Sequence, residues 1–240
     1  MLQAIAEEYI TFSSGALRLQ GVLAYPEETA PERAILMCSP HPHFAGDMNN
    51  NVICAIARRL AVHAAVLRFD YRGVGDSEID LDSDLSVFDY WTEVEEKKDY
   101  RDAIEDVESA ATVLKHAAES FDVELSIVGY SFGAATSMMF AHKAGNVHKM
   151  VTIAPPLGKV SFEFLFRQPP GLPDSKPSLH LVGKKDFLYS EERVEAFRRM
   201  LGPAARVVVL ESADHFFRGD EDQLAQKVDE FLRESPGSVR

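Results

Sequence analysis

The 240-residue sequence predicts an α/β architecture built on a mostly parallel sheet sheltered by helices. Three observations predict it. Short apolar runs lack polar alternation, amphipathic helical stretches alternate with them, and the pentapeptide Gly129-Tyr130-Ser131-Phe132-Gly133 sits between such a run and a helical stretch. A strand covered on both faces reads as a continuous apolar run, because neither face meets water. Strand, helix and strand in succession then call for a right-handed parallel crossover.

In order along the chain, residues 4–13 and 17–25 carry short apolar runs around the turn-prone Ser13-Ser14-Gly15, which predicts a hairpin. A second turn region, residues 26–33, releases the fully apolar 34–38 as the first covered strand. Residues 49–62 place Val52, Ile53, Ile56, Ala57 and Leu60 at helical spacing, with Arg58 and Arg59 on the remaining arc. Residues 64–69 return as a covered strand. The pattern repeats with a helix at 100–118, whose stripe is Ile104, Val107, Ala111 and Leu114, then a strand at 123–128, a helix at 131–143 and a strand at 147–154. Strands at 178–182 and 206–210 and helices at 191–201 and 222–232 complete the series. Function is expected beyond the carboxyl ends of the strands.

Residues 72–96 and 155–177 break this rhythm, being too long and too unusual in composition for ordinary connections. Within them, 76–96 and 155–177 are expected to cover a pocket, with a minimal cap or none. The whole chain, 1–240, reads as one domain, since apolar residues at 46% suffice for one substantial core.

Charge and composition exclude several classes. The formal net charge is −13, and residues 76–108 hold fourteen acidic side chains against Lys97, Lys98 and Arg101. No basic stripe exists to neutralise phosphates, so nucleic-acid binding is not expected. The longest apolar runs, 34–38 and 64–67, fall far short of the roughly 20 residues that span a bilayer, so no membrane insertion is expected. Residues 1–10 carry Glu7 and Glu8 and no basic start, unlike an export signal. Cys38 and Cys54 match no zinc or dithiol spacing and read as free thiols of a cytoplasmic protein. Oligomeric state leaves no mark in the sequence.

The serine pentapeptide carries the chemistry. An abrupt strand-to-helix turn puts the Ser131 hydroxyl at its apex, and Gly129 and Gly133 let neighbouring backbone approach. A neutral serine needs a base, and His215 follows the 206–210 strand in a loop able to reach it. His142 and His148 are weaker choices, one far along the elbow's own helix and the other starting the next strand. Imidazole in turn needs an acceptor to fix its tautomer, and Asp186 follows the 178–182 strand. The order Ser131, Asp186, His215 suits this architecture. Asp214 adjoins His215, but adjacency does not give ring-to-carboxylate geometry, and local loop hydrogen bonding is its expected role.

Attack on a carbonyl creates an oxyanion that needs preplaced donors. Phe132 supplies one backbone N–H. The turn after the 34–38 strand supplies the other, and because Pro40 and Pro42 have no N–H the choice falls on His43, with Phe44 as alternative. His41 and His43 lack a third ligand, so no metal is expected, and the scheme needs no cofactor. Phe44, Tyr71, Leu157, Phe162, Phe164 and Phe216 are the residues expected to form a pocket for a small-molecule acyl substrate.

Ser-Pro-His-Pro-His-Phe-Ala-Gly at 39–46, Arg-Gly-Val-Gly-Asp-Ser at 72–77, the serine pentapeptide, and Ala-Asp-His-Phe-Phe at 213–217 together resemble the α/β-hydrolase superfamily, over nearly the whole chain. The resemblance is to compact hydrolases related to dienelactone hydrolases and to serine peptidases of the same fold. It implies an eight-stranded sheet and a triad carried onto Ser131, Asp186 and His215. A cysteine nucleophile is expected for dienelactone hydrolysis itself, whereas Ser131 stands here, which turns the expectation to ester hydrolysis. A carboxylesterase for small or medium acyl groups is the leading reading. A peptidase or thioesterase of the same fold and an inactive binding or scaffold protein are the alternatives, and the complete, correctly ordered triad weighs against the last.

Overall fold

A computed structural model describes residues 4–44, 46–158 and 176–234. The chain opens with β1 (Ile5–Ser14) and β2 (Leu17–Pro26), joined antiparallel through Gly15, whose φ of +57° is a left-handed value that glycine adopts without steric cost. Beyond it come β3 (Ala34–Cys38), β4 (Ala65–Phe69), β5 (Leu125–Tyr130), β6 (Val147–Ile153), β7 (Ser178–Gly183) and β8 (Ala205–Leu210). All eight form one sheet in the order β1-β2-β4-β3-β5-β6-β7-β8. Pairing is antiparallel from β1 to β2 and from β2 to β4, and parallel across every other pair.

The helices are α1 (Asn51–Leu60), α2 (Val87–Lys97), α3 (Arg101–Ala118), α4 (Phe132–Lys143), α5 (Glu191–Met200) and α6 (Glu221–Arg233). Alternate residues of one strand feed opposite layers, as the two-residue period of a pleated strand requires. Leu36 and Cys38 of β3 join the cluster with α3, α4 and α5, whereas Ile35 and Met37 join the cluster with α1 and α6. Both faces of the parallel strands are thus covered, which explains their unbroken apolar runs.

The stretch 72–96 contains a helix that the periodicity analysis did not resolve. Ser86 and Asp89 form a reciprocal capping box that starts α2, and its Trp91 and Val94 are buried, Trp91 among His41, Tyr71 and Phe132. The preceding loop is held by charge. Arg72 reaches Asp106, Asp102 and Glu105 at 2.7, 3.1 and 3.0 Å, while Asp70 accepts the Met48 N–H at 2.6 Å. Of the second irregular stretch, residues 159–175, with Phe162 and Phe164, lie outside the described residues. Among the described residues no helix is long and apolar enough to cross a membrane.

Candidate active site

Strand β5 ends at Tyr130 and α4 begins at Phe132, leaving Ser131 alone at the corner with φ 55° and ψ −112°. A side chain at positive φ costs of the order of 1–3 kcal/mol and persists only where surrounding structure enforces it. Here the Ser131 N–H donates to the Ile153 carbonyl at 2.8 Å, tying the corner to β6. The flanking glycines are steric necessities. A Cβ on Gly129 would overlap the Gly133 carbonyl oxygen and Ser137 Oγ, and one on Gly133 would overlap the Cys38 carbonyl of β3.

The loops after β7 and β8 deliver the other two side chains. Gly183 has no room for a Cβ against the carbonyls of Ala213 and Asp214, so the two loops touch backbone to backbone. His215 Nδ1 lies 2.7 Å from Asp186 Oδ2, and His215 Nε2 lies 3.0 Å from Ser131 Oγ. Asp186 is itself fixed, because Oδ1 accepts the Leu188 N–H at 2.7 Å. The carbonyl of His215 accepts from the Tyr130 hydroxyl at 2.8 Å, which anchors the histidine loop to the nucleophile's strand. An ionised carboxylate can only accept, so Nδ1 carries the proton and Nε2 is left to accept from Ser131. Asp214 instead accepts the N–H groups of Phe216 and Phe217 at 2.8 and 2.9 Å and shapes the loop. His148 pairs with Glu124 at 3.0 Å, away from Ser131.

Opposite His215 stands the turn after β3. Phe132 opens α4, so its N–H has no acceptor within the helix. The His43 N–H donates to His41 Nδ1 at 3.2 Å, and the Phe44 N–H donates to the His41 carbonyl at 2.9 Å. The His43 ring stacks on Phe88 of α2, with centroids 4.0 Å apart, and its Nε2 lies 3.0 Å from the Phe88 carbonyl. The His41 ring sits edge-on to Phe132 and Trp91, and its Nε2 is buried without a hydrogen-bond partner, 3.6 Å from Glu95 Oε1. Burial outweighs the nearby carboxylate and lowers its pKa to about 4, so the ring is neutral at pH 7.

A cavity of about 300 Å³ joins these groups. On one side of Ser131 and Phe132 it is lined by His41, His43, Phe44 and Glu95, and on the other by Pro156, Phe187, Leu188, His215 and Phe216. A larger depression of about 660 Å³ lies at the amino ends of the parallel strands, lined among others by Ala34, Val123 and Asn146, far from these side chains. The smaller cavity is the one beyond the carboxyl ends of the strands, where chemistry belongs in such sheets.

Of the residues expected to line a pocket, Phe44 and Phe216 do so. Tyr71 does not. It is fully buried just beyond β4, and its hydroxyl bonds Thr136 Oγ1 of α4 at 2.7 Å. Leu157 packs into the core beside the cavity while its neighbour Pro156 lines it. Phe187 and Leu188 escaped the sequence analysis although they directly follow Asp186, a position that brings them to the site wherever the acid goes. Glu95 escaped with the helix that carries it, for which the Ser86–Asp89 capping box was an available signal. Among the described residues no group of three His, Cys, Asp or Glu side chains is placed to hold a metal ion.

Known proteins share this fold. The uncharacterized protein RP471 of Rickettsia prowazekii (strain Madrid E) is 25% identical over 231 residues, covering 93% of this chain and 87% of that one. An alpha-beta serine hydrolase homologue from Coxiella burnetii superposes with a TM-score of 0.73 at 23% identity, over 94% of this chain and 97% of that one. XC6422 from Xanthomonas campestris, described as an a/b serine hydrolase without lid, gives a TM-score of 0.75 at 22% identity, over 98% and 97%. Est1E from Butyrivibrio proteoclasticus, solved with ferulic acid bound, gives 0.68 at 17% identity, over 93% and 97%. Residues 41–177, more than half of the chain, match the alpha/beta hydrolase fold family, and the chain belongs to that family.

Proposed function

We propose that this protein is a serine hydrolase that cleaves carboxylic esters of small or medium acyl groups. The observation that carries the reading is the unbroken hydrogen-bonded series Asp186, His215, Ser131, at 2.7 and 3.0 Å, opening onto the cavity. A binding role needs neither a base nor a partner to orient it.

In this scheme Ser131 Oγ attacks the ester carbonyl carbon as its proton passes to His215 Nε2. The carbonyl π pair moves onto oxygen, and Asp186 stabilises the imidazolium. Collapse of the tetrahedral intermediate breaks the ester C–O bond, and His215 returns the proton to the leaving alcohol. Water then repeats the sequence on the acyl-serine and releases the acid. The N–H groups of Phe132 and His43 receive the oxyanion. His43 is preferred over Phe44 because its bond to a neutral ring is long at 3.2 Å, and a full negative charge is the stronger acceptor. His41 acts as a positioning residue that keeps this N–H aligned until attack.

The single continuous sheet supports reading the chain as one catalytic domain. Ferulic acid in the similarly folded Est1E supports a small acyl ligand. Free thiols at buried Cys38 and half-buried Cys54 support a cytoplasmic location. Turnover of p-nitrophenyl acetate or butyrate tests the reading. Ser131→Ala is expected to remove it without lowering the melting temperature, and an unchanged specific rate would refute the assignment.

A further inference from the structure

The cavity has two arms of different chemistry, and the proposed reaction fixes which part of an ester enters each. His215 must protonate the leaving oxygen, so the alcohol lies on its side, among Phe187, Leu188 and Phe216. The carbonyl oxygen goes to the N–H groups of Phe132 and His43, and the acyl chain, the remaining substituent, is left the wall of Phe44 and Glu95 beyond them. Among the described residues Glu95 is the one carboxylate that lines the cavity. An ester of a plain hydrocarbon acid has no use for it.

We propose that the acyl arm, walled by Phe44, Phe132 and Glu95, selects acyl groups that end in a cation, an ammonium or quaternary ammonium, over neutral and anionic ones. The proposal rests on the reading of Ser131 as nucleophile, and deepens it.

The charge on Glu95 is only partly met inside the protein, at one of its two oxygens. Among the described residues Oε1 accepts no hydrogen bond, its nearest polar neighbour being His41 Nε2 at 3.6 Å. That ring is held neutral by burial and brings no opposing charge. The other oxygen, Oε2, accepts from Lys98 Nζ at 3.1 Å and from the Tyr100 hydroxyl at 3.5 Å. Lys98 is half-exposed and stands three residues along, a kind of pair that is weak and readily screened.

The aromatic wall suits the same ligand. Phe44 lines the cavity and is 70% exposed, so its ring is open to a ligand. A ring face attracts an alkylammonium group through its quadrupole, and burial of the attached methyl or methylene groups adds to this.

Glu95 is the acid of α2 that lines this arm, so a cationic acyl end meets an opposite charge there and an anionic one a like charge.

Three p-nitrophenyl esters of matched length test this: 4-(trimethylammonio)butyrate, the isosteric neutral 5,5-dimethylhexanoate, and the anionic glutarate monoester. The quaternary nitrogen neither cyclises nor donates a proton, so charge is the only difference from its neutral isostere. The wild-type protein is expected to favour the cationic ester over the neutral one in kcat/KM by at least about tenfold, with the anionic ester slowest. Raising NaCl from about 0.05 to about 0.5 M should narrow that ratio, and Glu95→Gln should bring it to within about twofold of unity. A wild-type ratio at or below one, or a ratio that Glu95→Gln leaves intact, overturns the proposal. Failure of the underlying reading looks different. In that case the neutral ester is not hydrolysed, or its hydrolysis survives Ser131→Ala.

Discussion

His215 and His41 are buried to the same degree, 7% and 6% exposed, on opposite sides of one cavity, each with a carboxylate nearby. Their surroundings differ in two respects. Asp186 meets His215 on Nδ1 at 2.7 Å, leaving Nε2 to face Ser131 at 3.0 Å, whereas Glu95 lies 3.6 Å from Nε2 of His41, whose Nδ1 already accepts the His43 N–H. A carboxylate within hydrogen-bond reach fixes the tautomer and stabilises the imidazolium as it forms. One beyond that reach does not offset burial, and the pKa of His41 falls to about 4. In the proposed reaction two imidazoles with similar partners therefore take different parts, one as proton acceptor and one as neutral strut.

The largest effects should fall on the first of the two. His215→Ala is expected to lower kcat for p-nitrophenyl acetate by about 10⁴-fold or more, and Asp186→Asn by about 10³-fold or more, by fixing the wrong tautomer. Stopped-flow or endpoint assays on protein of unchanged circular dichroism measure this. If His41→Asn were equally damaging, the distinction between the two histidines would collapse.

The second effect separates them by stability. Unfolded His41 takes up a proton near its ordinary value of 6.5, while the folded chain delays this to about 4. Between those values the unfolded state binds more protons, so stability rises with pH through the window and is lost as pH falls through it. The change is about 3 kcal/mol at most. Urea unfolding at several pH values between 4 and 7 should show a shallower slope in His41→Asn than in the wild type, and an unchanged slope would mean that another group governs this window.

The smallest effect concerns the strut itself. Asparagine can present an acceptor where Nδ1 stood, and leucine can only fill space. If His41 holds the His43 N–H, His41→Leu should lose about tenfold in kcat with KM little altered, while His41→Asn stays within about threefold of the wild type. A purely packing role predicts the reverse order.

Much of this was legible in the sequence, and the reasons differ by element. The covered strands announced themselves because Ala34–Cys38 and Ala65–Phe69 have no wet face, and the serine corner because a strand, two glycines and a helix flank it. Asp186 and His215 followed from their places after β7 and β8. Helix α2 was overlooked among the turn residues and acids that surround it, although Val87, Trp91 and Val94 stand at helical spacing and the capping box marks its start. Tyr71 was misread because its position at a strand end says nothing about which way the ring turns, and it turns inward to Thr136. The bond that His41 makes was out of reach, because it depends on the direction of one backbone N–H within the short helical turn Pro42–Phe44.

Reaction with a fluorophosphonate, followed by peptide mapping, probes most directly whether this protein holds an activated serine. Covalent label is expected on Ser131, lost in His215→Ala and kept in His41→Asn. Folded wild-type protein that takes up no label, or takes it up at a different residue, would contradict the account.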